Sequence, residues 1–159
     1  YLPERTYFDK NTTVLEALKI FETFYDDFDR QKAEKLLKDL DLDINSSMEK
    51  MSKGMKEKIQ LVLVMSRHAK LYILDEPLGG VDPATRDYIL DTILKNFEDD
   101  ATLLISTHMI ADIERILDEV IIIDKGEILL HENADELRQR ENRSIDEYFR
   151  GLVYGKKSY

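Results

Sequence analysis

Three short apolar runs constrain the fold most: "LYILD" at Leu71–Asp75, "TLLIS" at Thr102–Ser106 and "EVIIID" at Glu119–Asp124. None alternates polar with apolar residues. A strand without alternation reads as one buried on both faces, the pattern of a parallel sheet with helices on either side. Helical stretches separate the runs: "KEKIQLVLVMSRH" before the first, "PATRDYILDTILKNF" before the second and "IADIERIL" before the third. Strand–helix alternation of this kind predicts an α/β domain with a largely parallel sheet. After the third run, "DKGE" and a further strand "EILLH" read as a hairpin, with Gly126 free to take positive φ.

Upstream of these strands the chain reads as helical. In "TVLEALKIFETFYDDF" the residues Leu15, Leu18, Phe21, Phe24, Tyr25 and Phe28 recur at three- and four-residue steps, an apolar stripe for packing that could also leave one aromatic face to a partner. "DRQKAEKLLKDLDL" repeats the pattern with Ala33, Leu36, Leu37 and Leu40, and Asp29 is placed to cap it. The chain beyond residue 132 is charged and helical and ends in "GKKSY". With 23 Lys plus Arg against 33 Asp plus Glu, the net charge of −10 argues against a general nucleic-acid or anionic-membrane surface. No cysteine is present, which excludes disulfides and thiolate metal sites. No run approaches the roughly 20 apolar residues of a membrane span, and "YLPERTYFDK" has no signal-peptide character. The expected location is the cytoplasm. The start on Tyr1 rather than Met reads as a fragment or a processed product.

The first strand ends in two adjacent carboxylates, Asp75 and Glu76, followed by Pro77. Ligands of open α/β sheets sit at the carboxyl ends of the strands. An acid there can hold Mg²⁺, and its neighbour can polarise an attacking water. The same residues also suit a helix cap and first turn ahead of a proline. On their own they leave both readings open. Upstream, "MSKGM" at Met51–Met55 opens a helix, where Ser52 can cap, Gly54 lets backbone approach a ligand, and free N–H groups attract anions. Downstream, "LGGVD" leads to Asp82, and "STH" places His108 just past the second strand.

In this order and spacing, "MSKGM", "LYILDEP", "GGVD" and "LLISTH" resemble the ATP-binding cassette family, the ATPase subunits of ABC transporters. The resemblance covers nearly the whole chain. It implies an incomplete P-loop NTPase (RecA-like) core plus a helical subdomain. The implied layout is a Q-loop region at 1–12, the helical subdomain at 13–50, signature helix and catalytic core at 51–131, and a C-terminal helical tail at 132–159. Ser52, Lys53, Gly54 and Met55 occupy the signature that meets nucleotide, with Lys53 and Met55 departing from the usual Leu-Ser-Gly-Gly-Gln. Asp75 matches the Walker B aspartate, which holds Mg²⁺ through water. Glu76 matches the catalytic base and His108 the switch histidine at the γ-phosphate. Asp82 matches the D-loop. Glu4, in "YLPE", takes the place of the Q-loop glutamine near the nucleotide and its Mg²⁺.

Implied cofactors are ATP and Mg²⁺. Implied partners are a transmembrane permease subunit and a second ATPase subunit, with no nucleic acid, at the inner face of the cell membrane. Phosphate cradling needs G-x-x-x-x-G-K-[ST]. None of the six glycines starts that motif. The nearest match, "GLVYGKKS" from Gly151, has the wrong spacing and no strand before it. The phosphate loop is expected in preceding sequence, so the fragment alone is expected to be inactive, with an exposed sheet edge. Three other readings share parts of the pattern: a DNA-repair or chromosome ATPase, a soluble translation-type cassette ATPase, and a non-catalytic docking subunit.

Overall fold

A computed structural model describes residues 1–5 and 7–154, so the "GKKS" of the C-terminal near-match lies outside the described residues. The chain divides into two compact units, Tyr1–Thr107 and His108–Tyr159.

The first unit begins with two helices, α1 (Val14–Phe24) and α2 (Arg30–Asp39). Thr13 caps α1 by accepting the Glu16 N–H, while the Glu16 carboxylate accepts the Thr13 N–H at 2.8 Å. This reciprocal box satisfies two backbone donors that a helix start otherwise leaves open. Asp29 caps α2 as expected, accepting from Lys32 N–H at 2.9 Å. The apolar stripe of α1 differs from the sequence reading. Val14, Ala17, Leu18 and Phe21 are buried, while Phe24 is 76% exposed. The helix ends at Phe24, so Tyr25 and Phe28 leave its periodicity, and Phe28 instead bridges Arg67 in antiparallel fashion. Ala33, Leu36 and Leu37 of α2 are buried as the periodicity predicts.

Helix α3 (Lys53–Met65) is the spine of this unit, with every residue from Ile59 to Met65 buried. It leads into β1 (Leu71–Asp75). Helix α4 (Pro83–Asn96) follows and returns to β2 (Thr102–Ser106). The two strands pair in parallel with Leu71 opposite Thr102 and Asp75 opposite Ser106. On the other side of β1, Leu2 pairs in parallel with Leu74, donating to Ile73 O at 2.8 Å and accepting from Asp75 N–H at 2.9 Å. Tyr72 and Leu74 face the core. Leu71 and Leu104, by contrast, are about half exposed. The apolar runs therefore have one packed side and one partly open side among these residues, rather than cover on both.

In the second unit, the expected helix over "IADIERIL" shortens to α5 (Ile110–Ile113) followed by one 3-10 turn. Strands β3 (Glu119–Asp124) and β4 (Glu127–Asn133) form an antiparallel hairpin. Lys125 and Gly126, at φ 50° and 84°, make the two-residue turn. Both central residues lie in the left-handed region, as the right-handed twist of a hairpin favours. Helices α6 (Ala134–Glu141) and α7 (Ile145–Tyr154) pack on one face of the hairpin, burying Val120, Ile122, Leu137 and Ile145.

Candidate functional site

Parallel pairing of β1 with β2 brings two hydroxyls to two carboxylates at one end of the strands. Ser106 Oγ donates to Asp75 Oδ1 at 2.5 Å, and Thr107 Oγ1 donates to Glu76 Oε2 at 2.9 Å. The Glu76 N–H donates to Ser106 O at 2.9 Å, which continues the ladder one residue beyond the strand. The Tyr1 hydroxyl reaches Asp75 Oδ2 at 3.5 Å. Hydroxyl donors fix where the carboxylate oxygens point.

The backbone at the acids is unusual. Glu76 sits at φ 46°, a left-handed conformation that costs a non-glycine residue roughly 1–2 kcal/mol. The Gly79 N–H donates back to Glu76 O at 2.9 Å and closes a turn. A Cβ at Gly79 would lie 3.1 Å from that same oxygen, tighter than side chains tolerate without a shift. Strain held at a carboxylate is what functional sites store.

The helix-cap reading of the acids is excluded. Helix α4 starts at Pro83, and its cap is Asp82, whose Oδ1 accepts the Thr85 N–H at 3.1 Å. Pro77 lies instead in the turn between Glu76 and Gly79.

Asp75 and Glu76 share the wall of a narrow crevice with Glu4, Glu57 and Gln60. Its volume of about 20 Å³ admits one water, not a nucleotide. Two acceptors in α3, Glu57 Oε2 and Gln60 Oε1, are buried without a hydrogen-bond partner among the described residues. Burial pushes the Glu57 carboxyl above its ordinary range, and the ammonium of Lys53 opposes that shift.

The start of α3 has a side-chain cap and no acid of its own. Ser52 Oγ accepts the Met55 N–H at 3.2 Å, the first turn carries no acid, and Cβ space at Gly54 is open. A helix of 13 residues with an uncompensated N-terminus attracts negative charge. Met55 is 36% exposed beside it.

Of the residues singled out in the sequence, the structure gathers Glu4, Asp75 and Glu76 around one crevice. Asp82 stands at the start of α4, and Ser52, Lys53, Gly54 and Met55 open α3 outside the crevice wall. His108 is the first residue of the second unit. Sequence reasoning missed Ser106, Thr107 and Glu57. The parallel pairing of the two runs, once assumed, would have placed Ser106 and Thr107 beside the acids.

Asp75 and the hydroxyl beside it are hard oxygen donors of the type Mg²⁺ takes. No group of three or more metal-ligating side chains converges among the described residues. Mg²⁺ bound to a nucleotide uses one or two carboxylates with phosphate oxygens and waters, so the donor set fits that mode.

The ABC transporter family model matches residues 1–79. An uncharacterized ABC transporter ATP-binding protein of Methanocaldococcus jannaschii is 28% identical over 146 residues, 86% of this chain and 54% of its own length. The ABC-type transporter ATP-binding protein EcsA of Bacillus subtilis is 31% identical over 164 residues, 96% of this chain and 65% of its own length. The chain thus spans from about half to just under two thirds of these relatives. A solved structure of the ATP-binding subunit of an ABC transporter superposes with a TM-score of 0.83 at 28% identity, covering 96% of this chain and 67% of that one.

Proposed function

From the premise that the chain belongs to the ABC transporter family, as part of an ATP-binding domain of P-loop NTPase fold, we propose that its parent protein hydrolyses MgATP to drive a membrane partner. The observation that carries this reading is the acid pair at the end of β1, each member held by a hydroxyl from the neighbouring strand.

Each residue has a task in this reaction. Asp75 would hold Mg²⁺, and Glu4 lines the same crevice. The ion supplies charge neutralisation at the phosphoryl oxygens. Glu76 orients the attacking water and takes its proton, a contribution on the order of 10²–10⁴ in rate. Thr107 keeps the Glu76 carboxylate in one orientation. By the family resemblance His108 would meet the γ-phosphate. Ser52, Lys53, Gly54 and Met55 present the start of α3 to the nucleotide of a second ATPase subunit, so that two subunits sandwich two ATP molecules. Asp82 carries the state of one site across that dimer. Closure assembles the sites and ties turnover to movement of the permease.

None of the six glycines of these 159 residues starts a phosphate-holding loop, so in this reading the 159 residues alone bind MgATP weakly and are inactive. The membrane subunit docks on the helical subdomain that carries α1 and α2. A groove of about 550 Å³ beside α1 is lined by Tyr1, Tyr7, Phe8, Phe24 and Arg67, among others, with no residue of α2 among them. Among the described residues no helix is long and apolar enough to cross a membrane. In this reading the parent protein works at the cytoplasmic face of the membrane, held there by its permease.

The test is ATP hydrolysis by the purified full-length protein, with and without a chelator, together with recovery of a membrane subunit on purification. Mg²⁺-dependent phosphate release and co-purification are expected. A full-length protein that neither binds nor hydrolyses ATP refutes the reading.

A further inference from the structure

The start of α3 touches the turn that follows the acids through one pair of side chains. Lys53 is the first residue of the helix and Glu57 lies one turn on, with Lys53 Nζ at 3.4 Å from Glu57 Oε1. Both groups lie beside Gly80. A Cβ built there would stand 3.0 Å from Lys53 Nζ and 3.4 Å from Glu57 Oε1. Gly80 itself sits at φ 73°, in the left-handed region that favours glycine.

Helix stability does not explain the pair. A lysine at the first position meets the positive end of the helix dipole, and Lys-before-Glu is the weaker order for an i,i+4 pair. The exposures are unequal: 71% for the Lys53 side chain and 15% for Glu57. The buried partner is the one aimed inward. Glu57 Oε1 pairs with Lys53 next to Gly80, while Glu57 itself lines the crevice with Asp75 and Glu76. The turn beside it is pinned at its other end by the Gly79 N–H on Glu76 O, with Leu78 and Val81 buried on either side of the two glycines. A contact at Gly80 is thus one residue from the hydrogen bond that holds the strained Glu76 backbone.

We propose that Glu57 is a positioning residue: paired with Lys53, it braces the Gly79–Gly80 turn against α3, so that the Glu76 carboxylate and the start of α3 are held as one body within a subunit. This brace rests on the ATPase reading above and adds to it a connection inside one chain, between the end that meets a partner's nucleotide and the acids that serve its own.

The lead variant is Glu57→Gln in the full-length protein, which removes the charge and keeps the volume. It should lower kcat for ATP by about fivefold or more and leave KM within about twofold, because Glu57 holds the base and not the substrate. Lys53→Met should also lower kcat, and the double variant should be no worse than either single one. Hydrogen exchange supplies a readout that does not depend on activity. The amides of residues 79–82 should exchange faster in Glu57→Gln than in wild type, with those of β1 unchanged. Lys53→Met, at an exposed side chain, guards against a variant that simply fails to fold. Wild-type kcat together with unchanged exchange at residues 79–82 in both variants overturns the brace. A full-length wild type without ATPase activity would instead sink the ATPase reading, and the exchange comparison would still decide the brace.

Discussion

Replacing Thr107 with valine keeps the shape of the side chain and removes the hydroxyl that donates to Glu76 Oε2 at 2.9 Å. A hydrogen bond to a charged acceptor contributes about 1.5–3 kcal/mol, and the half-buried setting of Thr107 lowers that to about 1–2 kcal/mol. At about 1.36 kcal/mol per factor of ten, kcat of the full-length protein should fall by about 5- to 30-fold. The affinity for ATP should hold, because Glu76 orients water and does not grip the nucleotide. Thr107→Ser keeps the donor and should stay near wild type. The assay is steady-state phosphate release alongside equilibrium nucleotide binding for the three proteins. Wild-type kcat in Thr107→Val would refute the role given to this hydrogen bond. A loss confined to binding would place Thr107 with the nucleotide instead.

Other expectations follow from the body of the first unit. Arg67 donates to both oxygens of Asp27 at 2.8 and 2.9 Å, and these hydrogen bonds hold the Asp27 carboxyl below its ordinary range. A depressed carboxyl stabilises above its unfolded value and loses that contribution as pH falls through its folded one. Asp27→Asn should therefore cost about 1 kcal/mol in urea unfolding at pH 7, and the gap to wild type should close below about pH 4. An equal gap at both pH values would contradict the pairing. The buried Tyr72 hydroxyl donates to Arg67 O and accepts the Ala69 N–H, so Tyr72→Phe should destabilise by about 1–3 kcal/mol, read by the same unfolding curves. Gly80→Ala, which forces a side chain onto Lys53 at positive φ, should lower turnover more than the melting temperature.

The α/β class, the parallel pairing of the first two runs and the hairpin at Lys125–Gly126 were legible because each follows from local pattern. Unbroken apolar runs, a helix between them and a turn glycine are enough. The caps at Asp29 and Ser52 were legible for the same reason, since a short polar side chain satisfies backbone donors three residues on. The α1 stripe was misread because its period continues past the true end of the helix. The residues from Tyr25 onward are claimed by contacts with Arg67, including its guanidinium stacked 3.8 Å from the Tyr25 ring centre, and no window on the local sequence contains Arg67. At the site, Asp75 and Glu76 stood out as residue types. Their partners Ser106 and Thr107 did not, because register between strands 31 residues apart is a tertiary fact. Glu57 was hidden as one charge among several on a helix face, and only its burial against Gly80 distinguishes it.

The most direct measurement is turnover of the full-length protein with Glu76→Gln beside wild type, with ATP binding measured on the same preparations. The expected result is near-complete loss of phosphate release, on the order of 10²-fold or more, with ATP still bound. Undiminished hydrolysis in Glu76→Gln would contradict the assignment of Glu76 as the base, and with it the account of how the acid pair at the end of β1 works.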